Sequence, residues 1–240
     1  MKKTEVYTEA SSCESGGKIP TPHERQYLLK EEILHTVTHA IGALLGVLAL
    51  VLLILKALPL GAVATVGAIV FGVSLIALYS ASALYHGSCA YYGEYVVSPV
   101  RDFFMKCDHC MIFILIVGTY APACIYAMGG VVGWCVFGVV ATSSILGLIL
   151  NSIDVDRYHK ISLVLYLVTG WTIAAASVPY FKAIGPVGFG FLLLGGAFYT
   201  VGVIFYKMQK VPYMHVLWHL FVLGGSVMHF FMVYGYCLVS

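Results

Sequence analysis

The sequence predicts an all-α integral membrane protein, a bundle of seven transmembrane helices with a cytoplasmic N-terminus and the C-terminus outside. Three observations predict it. The 240 residues are 60% hydrophobic and 10% charged, with a mean hydropathy of +0.93, whereas a soluble domain carries about 25% charge. Apolar runs of about 20 residues, long enough to cross a bilayer as helix, recur along the chain. The lysines and arginines fall almost entirely on one side of those runs.

The first 32 residues are polar and charged, which predicts a tail without a cleavable signal peptide. The runs then follow at 33–56, 62–86, 107–128, 131–151, 160–179, 187–206 and 213–237, as one membrane domain over 33–240. Pro59, the pair Gly129–Gly130, the polar stretch NSIDVDRYHK, the short segment 179–186 and the basic segment 207–212 separate them. The longest connection, 87–106, holds Tyr91, Tyr92, Tyr95 and Pro99. It reads as an interfacial segment, because tyrosine favours the headgroup level. With this alternation, Lys2, Lys3, Lys18, Arg25, Lys30, Arg101, Lys106, Arg157, Lys160, Lys207 and Lys210 share one side. Only Lys56 and Lys182 lie on the other, so the lysine-rich side is cytoplasmic.

Several function classes drop out. The orientation is the reverse of a G-protein-coupled receptor, and the seventh run has no lysine to form a retinal Schiff base. No basic patch with interleaved aromatics points to nucleic acid. Seven cysteines, several inside apolar runs, argue for buried small side chains rather than a disulfide framework. The Cys107–Cys110 pair lacks a second pair and reads as reduced thiols.

The chemistry concentrates in histidines. His215 and His219 in MHVLWHLFVLGG are one turn apart on one helix face, a spacing that lets two imidazoles hold one metal ion. His219 lies roughly 6 Å deeper than His215. His86 ends the second run and Asp108 opens the third, so both fall at the same cytoplasmic end. Ser82 is one turn before His86. Three histidines with an open fourth position are the pattern of a catalytic zinc site, and Asp108 and Ser82 can hold a water or an imidazole N–H beside it.

A second group, Glu31, Glu32, His35 and His39, sits at the mouth of the first run in KEEILHTVTHAIG. It reads either as a charged helix start, with carboxylates near the positive end of the helix, or as a proton relay or lining of the same cytoplasmic cavity. His229 lies roughly 15 Å beyond His219 and is expected to hydrogen-bond within the bundle. His109 points about 100° away from Asp108 on a helix and reads as interfacial. His23 and His159 read as tail and loop residues. Asn151, Asp154 and Asp156 read as caps of the fourth run and its loop. Recurrent glycines suit close helix packing.

The set EExxHxxTH, SALYH, DH followed by GTYAP, and HxxWH resembles the haemolysin-III family over residues 25–240. These are the bacterial relatives of the progestin and adipoQ receptors. In one place the chain departs from the family, with His35 where its asparagine is expected. The resemblance implies a seven-helix bundle of the bacterial plasma membrane with Zn2+ near the cytoplasmic leaflet. It implies His86, His215 and His219 as metal ligands, Asp108 beside the metal's water, and Ser82 next to it. The wider superfamily includes ceramidases that hydrolyse lipid amides, and the bacterial branch is named for haemolysis. Three functions follow. They are a zinc hydrolase of lipid amide or ester bonds, a pore-forming cytolysin, and a sensor with structural zinc. Membrane lipids are the expected substrate or ligand. A pore needs a continuous polar lining, whereas the polar residues gather at one end.

The orientation is open to a direct measurement. An alkaline phosphatase fused at the C-terminus should be active outside the membrane, and one fused after residue 60 likewise. An active fusion after residue 155 would reverse the assignment.

Overall fold

The computed structural model describes residues 22–92, 98–208 and 211–239, with side chains from residue 28 onward. Most of the tail expected at 1–32, with His23, and also Tyr95 and Lys210, lies outside the described residues or side chains. Seven α-helices and their short extensions account for nearly all of the rest, and no strand occurs among the described residues. The helices are α1 (Pro22–Ala57), α2 (Ala62–Tyr92), α3 (Pro99–Tyr120), α4 (Gly130–Ile153), α5 (Val155–Gly170), α6 (Ser177–Lys207) and α7 (Met214–Met232).

The chain turns its apolar surface outward. Leu44 is 72% exposed and Val131 80%, while His35, His39, His86, His219 and Asn151 are buried. A soluble protein rarely shows so much contiguous apolar surface. A membrane protein requires it, because lipid covers the outside and every polar group must be satisfied within.

Helix ends follow local chemistry. Pro22 opens α1, and Pro99 follows the extended Ser98 to open α3; proline's missing N–H costs nothing at these positions. As a result α1 starts eleven residues before the apolar run, and the expected interfacial segment 87–106 is largely the end of α2 and the start of α3. Pro122 has no N–H for the helical ladder. Around it α3 widens into a π-helical turn, Ala121–Met128. Asp154 closes α4 and caps α5, its Oδ1 accepting from the Arg157 backbone N–H at 2.9 Å. The polar stretch after α4 is therefore a tight corner. Asn151 does not cap this corner as expected. It is fully buried, donates to the His109 carbonyl (3.2 Å) and the Tyr166 hydroxyl (2.9 Å), and accepts from Ser162 (2.6 Å). One side chain thus ties α3, α4 and α5.

Six stretches among the described residues are long and apolar enough to cross a membrane, not seven. The difference lies at Val155–Lys207, where the expected fifth and sixth runs form one stretch of 53 residues. This stretch is not straight. Gly185, at φ 70 and ψ 175, leaves the helical region just before Pro186. The Trp171 indole N–H donates to Thr200 Oγ1 at 3.0 Å, although a straight helix would part those residues by about 44 Å. The chain doubles back on itself at Gly185, where glycine tolerates a positive φ. Upstream, α5 tightens into a 3-10 turn at Thr172–Ala176. There Tyr120 donates to the Gly170 carbonyl (2.8 Å) and accepts from the Ile173 N–H (3.0 Å), satisfying backbone groups released at the break.

α1 packs on α2 and α7, α2 on α3, α3 on α4, and α6 on α7. The core is set by Leu53, Phe71, Tyr79, Phe113 and Tyr180, each at most 1% exposed. A cavity of about 130 Å³ lies inside the bundle, lined by Leu78, Leu115, Tyr120, Leu163, Trp218 and His229 among others.

At Gly133 on α4 an added Cβ would collide with the Cys124 carbonyl oxygen of the π turn. Backbone cannot swing aside, so Gly133→Ala is expected to cost about 1–3 kcal/mol. A lowered unfolding midpoint in detergent would register it, and an unchanged midpoint would contradict this packing.

Candidate metal centre

Three helices bring the ionisable residues together. On α1, Glu32, His35 and His39 fall at i, i+3 and i+7, one face of the helix. On α2, Tyr79, Ser82 and His86 repeat that spacing. On α7, His215 and His219 occupy the first two turns. The start of α7 is pinned to α1, because the Tyr213 backbone N–H donates to the Glu31 carboxylate. Tyr213 holds a left-handed φ of 60 there.

The result is five imidazoles and a carboxylate in one cluster. One ring nitrogen each from His86, His215 and His219 lie within 4.8 Å of one another. A second such group joins Glu32, His35 and His86. The cluster is nearly dry, with His35, His86 and His219 each at most 4% exposed. The two groups that the sequence showed separately, at the mouth of α1 and at the start of α7, are a single site. This favours the cavity-lining reading of the α1 group over a solvated helix start.

The surroundings orient the rings. His86 Nδ1 sits 2.8 Å from Glu32 Oε2, which leaves His86 Nε2 buried with no hydrogen-bond partner. A carboxylate behind one imidazole nitrogen with the other left free is how metal-bound histidines are held. His39 stacks on His219, with ring centres 3.7 Å apart and planes 11° from parallel. Tyr79 braces His39 edge-on at 5.0 Å. The Tyr79 hydroxyl donates to Ser226 Oγ at 2.7 Å, and the Tyr199 hydroxyl lies 2.9 Å from the same oxygen. Thr38 Oγ1 lies 3.4 Å from His219 Nδ1.

Buried imidazole nitrogens without partners are costly in a lipid-embedded bundle. Besides His86 Nε2, both nitrogens of His35 and of His39 lack partners. Nitrogen donors with one carboxylate suit a borderline divalent metal, and the residues present fit such an ion.

The other predicted residues are placed as follows. Ser82 is buried, 1% exposed, one turn from His86. Asp108 is half-buried on α3 and stands outside both ligand groups. His109 stands outside both ligand groups, and its carbonyl accepts from Asn151 and Tyr166. His229 lies deeper, with Nε2 3.4 Å from the Leu192 carbonyl, within the bundle as its spacing predicts. Cys110 packs against Ser152 and Leu148 rather than joining a ligand set. The supports Tyr79, Ser226 and Tyr199 went unread in the sequence. For Tyr79 a signal existed, since it shares the helix face of Ser82 and His86.

Comparisons with known proteins identify a family. The family model described as "Haemolysin-III related" matches residues 27–230. The chain is 41% identical over 211 residues to Hemolysin-3 of Bacillus cereus, covering 88% of this chain and 93% of that protein. It is 37% identical over 213 residues to the Hemolysin-3 homolog of Bacillus subtilis (strain 168), covering 88% and 97%. A more distant likeness, 24% over 172 residues, is to the human Monocyte to macrophage differentiation factor, covering 70% of this chain and 68% of that one.

Tyr79→Phe deletes the hydroxyl that meets Ser226 and should lower stability by about 1 kcal/mol, the typical net worth of one hydrogen bond. Denaturation of the detergent-solubilised variant measures it. A variant as stable as the wild type would show that this bond does not brace the cluster.

Proposed function

The chain belongs to the haemolysin-III family, a multi-pass protein of the bacterial cell membrane, and we propose that it is a zinc-dependent hydrolase of lipid amide or ester bonds. The observation that carries this reading is the set of convergent nitrogens on His86 and His219, both buried, and on the half-buried His215, with Glu32 behind His86. In this reading the membrane is crossed seven times, with the reversal at Gly185 separating the fifth and sixth crossings and the cluster on the cytoplasmic side.

His86, His215 and His219 would hold the ion, and when bound it polarises a carbonyl and makes water a better nucleophile at neutral pH. The protein's residues do the rest. Glu32 fixes the ring of His86 so that Nε2 faces inward. His39, stacked on His219 and braced by Tyr79, excludes water from one flank. Asp108, outside the ligand group, acts as general base on the attacking water. Ser82 donates a hydrogen bond to the developing oxyanion. The apolar cavity is lined by Trp218, next to His219 on α7, by Val222 three residues further on, and by Leu78, eight residues before His86 on α2. Its apolar lining suits an acyl chain, which supports a membrane lipid as substrate.

The relatives' name suggests a second reading, membrane lysis by a pore. The cavity inside this chain is lined mainly by aliphatic and aromatic side chains, which does not suit a single-chain aqueous pore.

Purified protein should carry about one zinc per chain, and His219→Ala should lose it. At a hundredfold excess of zinc over the dissociation constant, bound metal stabilises the fold by about 2.7 kcal/mol, so a chelator should lower the unfolding midpoint. Mass spectrometry of lipids incubated with wild type but not His219→Ala should show a released fatty acid. Well-folded wild type without metal would end the zinc reading. Metal without lipid turnover would instead favour a structural zinc in a sensor, and leakage of liposomes by His219→Ala would favour the pore.

A further inference from the structure

The cluster has four corners, not three. The ring centres of His35, His86, His215 and His219 are separated by 4.6 Å (His35–His86), 4.8 Å (His35–His215), 5.0 Å (His35–His219), 5.3 Å (His86–His215), 4.9 Å (His86–His219) and 4.8 Å (His215–His219). Six nearly equal edges describe a tetrahedron. Four imidazoles around one zinc have a known size: with Zn–N near 2.0–2.1 Å, each ring centre lies about 3.2 Å from the metal and about 5.2 Å from its neighbours. The four rings match that spacing to within several tenths of an ångström. A site built from three rings with an open water position has no need of an imidazole at the fourth corner.

From this the geometry points to His35 as a fourth, displaceable ligand of the metal, which rests on the zinc reading above. His35 is 4% exposed, and neither of its nitrogens has a hydrogen-bond partner. Its Nδ1 lies 3.7 Å from Glu32 Oε2, beyond hydrogen-bonding distance. A half-turn of the ring about Cβ–Cγ exchanges Nδ1 with Cδ2 and Nε2 with Cε1. It therefore presents nitrogen to the centre without breaking a hydrogen bond. His35 has two seats: against the metal, where it completes four-coordination, and against Glu32, which accepts its N–H when it leaves. In the first seat the position that water or a substrate carbonyl needs is filled, and the site is closed as structural zinc sites are. In the second seat it is open. His35 is thus a gate on the centre. An asparagine in its place, the residue expected there by resemblance, lacks the imidazole nitrogen to close it.

Cobalt(II), whose visible absorption reports coordination, tests this with azide as a small competing ligand. Wild type, His35→Asn and His35→Gln are compared after gel filtration and circular dichroism show each to be folded. Removing a ligand should lower metal affinity about tenfold or more, since even a partner outside the ligand shell is worth 10–100-fold. Azide should change the cobalt spectrum of His35→Asn at a concentration about tenfold or more below that required by wild type. Zinc-edge X-ray absorption of wild type gives a reading independent of any variant's folding, and should count four imidazole nitrogens. Three imidazoles with one oxygen, or equal azide response in wild type and both variants, would overturn the fourth ligand while leaving the three-histidine site intact. Folded wild type that binds neither zinc nor cobalt would overturn the zinc reading itself.

Discussion

The contact on which the rest of the site depends is the 2.8 Å pairing of Glu32 on α1 with His86 on α2. Both side chains are largely shielded, 5% exposed for His86 and 15% for Glu32, and an unpaired charge so placed is costly. The pairing fixes the register of α1 against α2. It sets one nitrogen of His86 toward the carboxylate and leaves the other facing the centre. With that edge in place, His35 and His39 on the same face of α1 are carried toward α7. There His39 stacks on His219, and Glu31 meets the backbone at the start of the helix. Three helices are thus joined at one end by polar contacts, and further along by apolar packing and the Tyr79–Ser226 hydrogen bond.

The same rule of internal satisfaction explains the irregular backbone. Pro122 and Gly185 and the 3-10 turn after Gly170 each interrupt a helical ladder. At the 3-10 turn Tyr120 takes up a freed carbonyl and a freed N–H, and at the α4–α5 corner Asn151 satisfies three polar partners at once. These buried polar side chains have no direct part in chemistry. They allow the chain to bend, and so let the later half of α6 return beside α7 and close the wall of the cavity.

A centre with His86, His215 and His219 alone would lie open on the side toward α1. His35 occupies that side at nearly the tetrahedral distance. In the proposed gate, His35 would alternate between the metal and Glu32 by one side-chain rotation. On that proposal the Glu32 carboxylate would serve twice, orienting His86 and receiving His35.

By itself the sequence determined the membrane class, the approximate position of most apolar helices, and the family. Hydropathy, proline and glycine punctuation and i,i+4 spacing are local properties, and local properties can be read along a chain. The spacing of His215 and His219 on one turn, and of His35 and His39 on another, required no knowledge of neighbours. Only the tertiary structure decided that α1, α2 and α7 are adjacent, that the two histidine groups are one cluster, that Asp108 stands outside the ligand group, and that Asn151 ties helices rather than capping one. Equal depth in a membrane leaves the lateral position of a helix undetermined. That position is set by packing and by pairings such as Glu32 with His86, between residues 54 apart in the chain, and no local pattern encodes it.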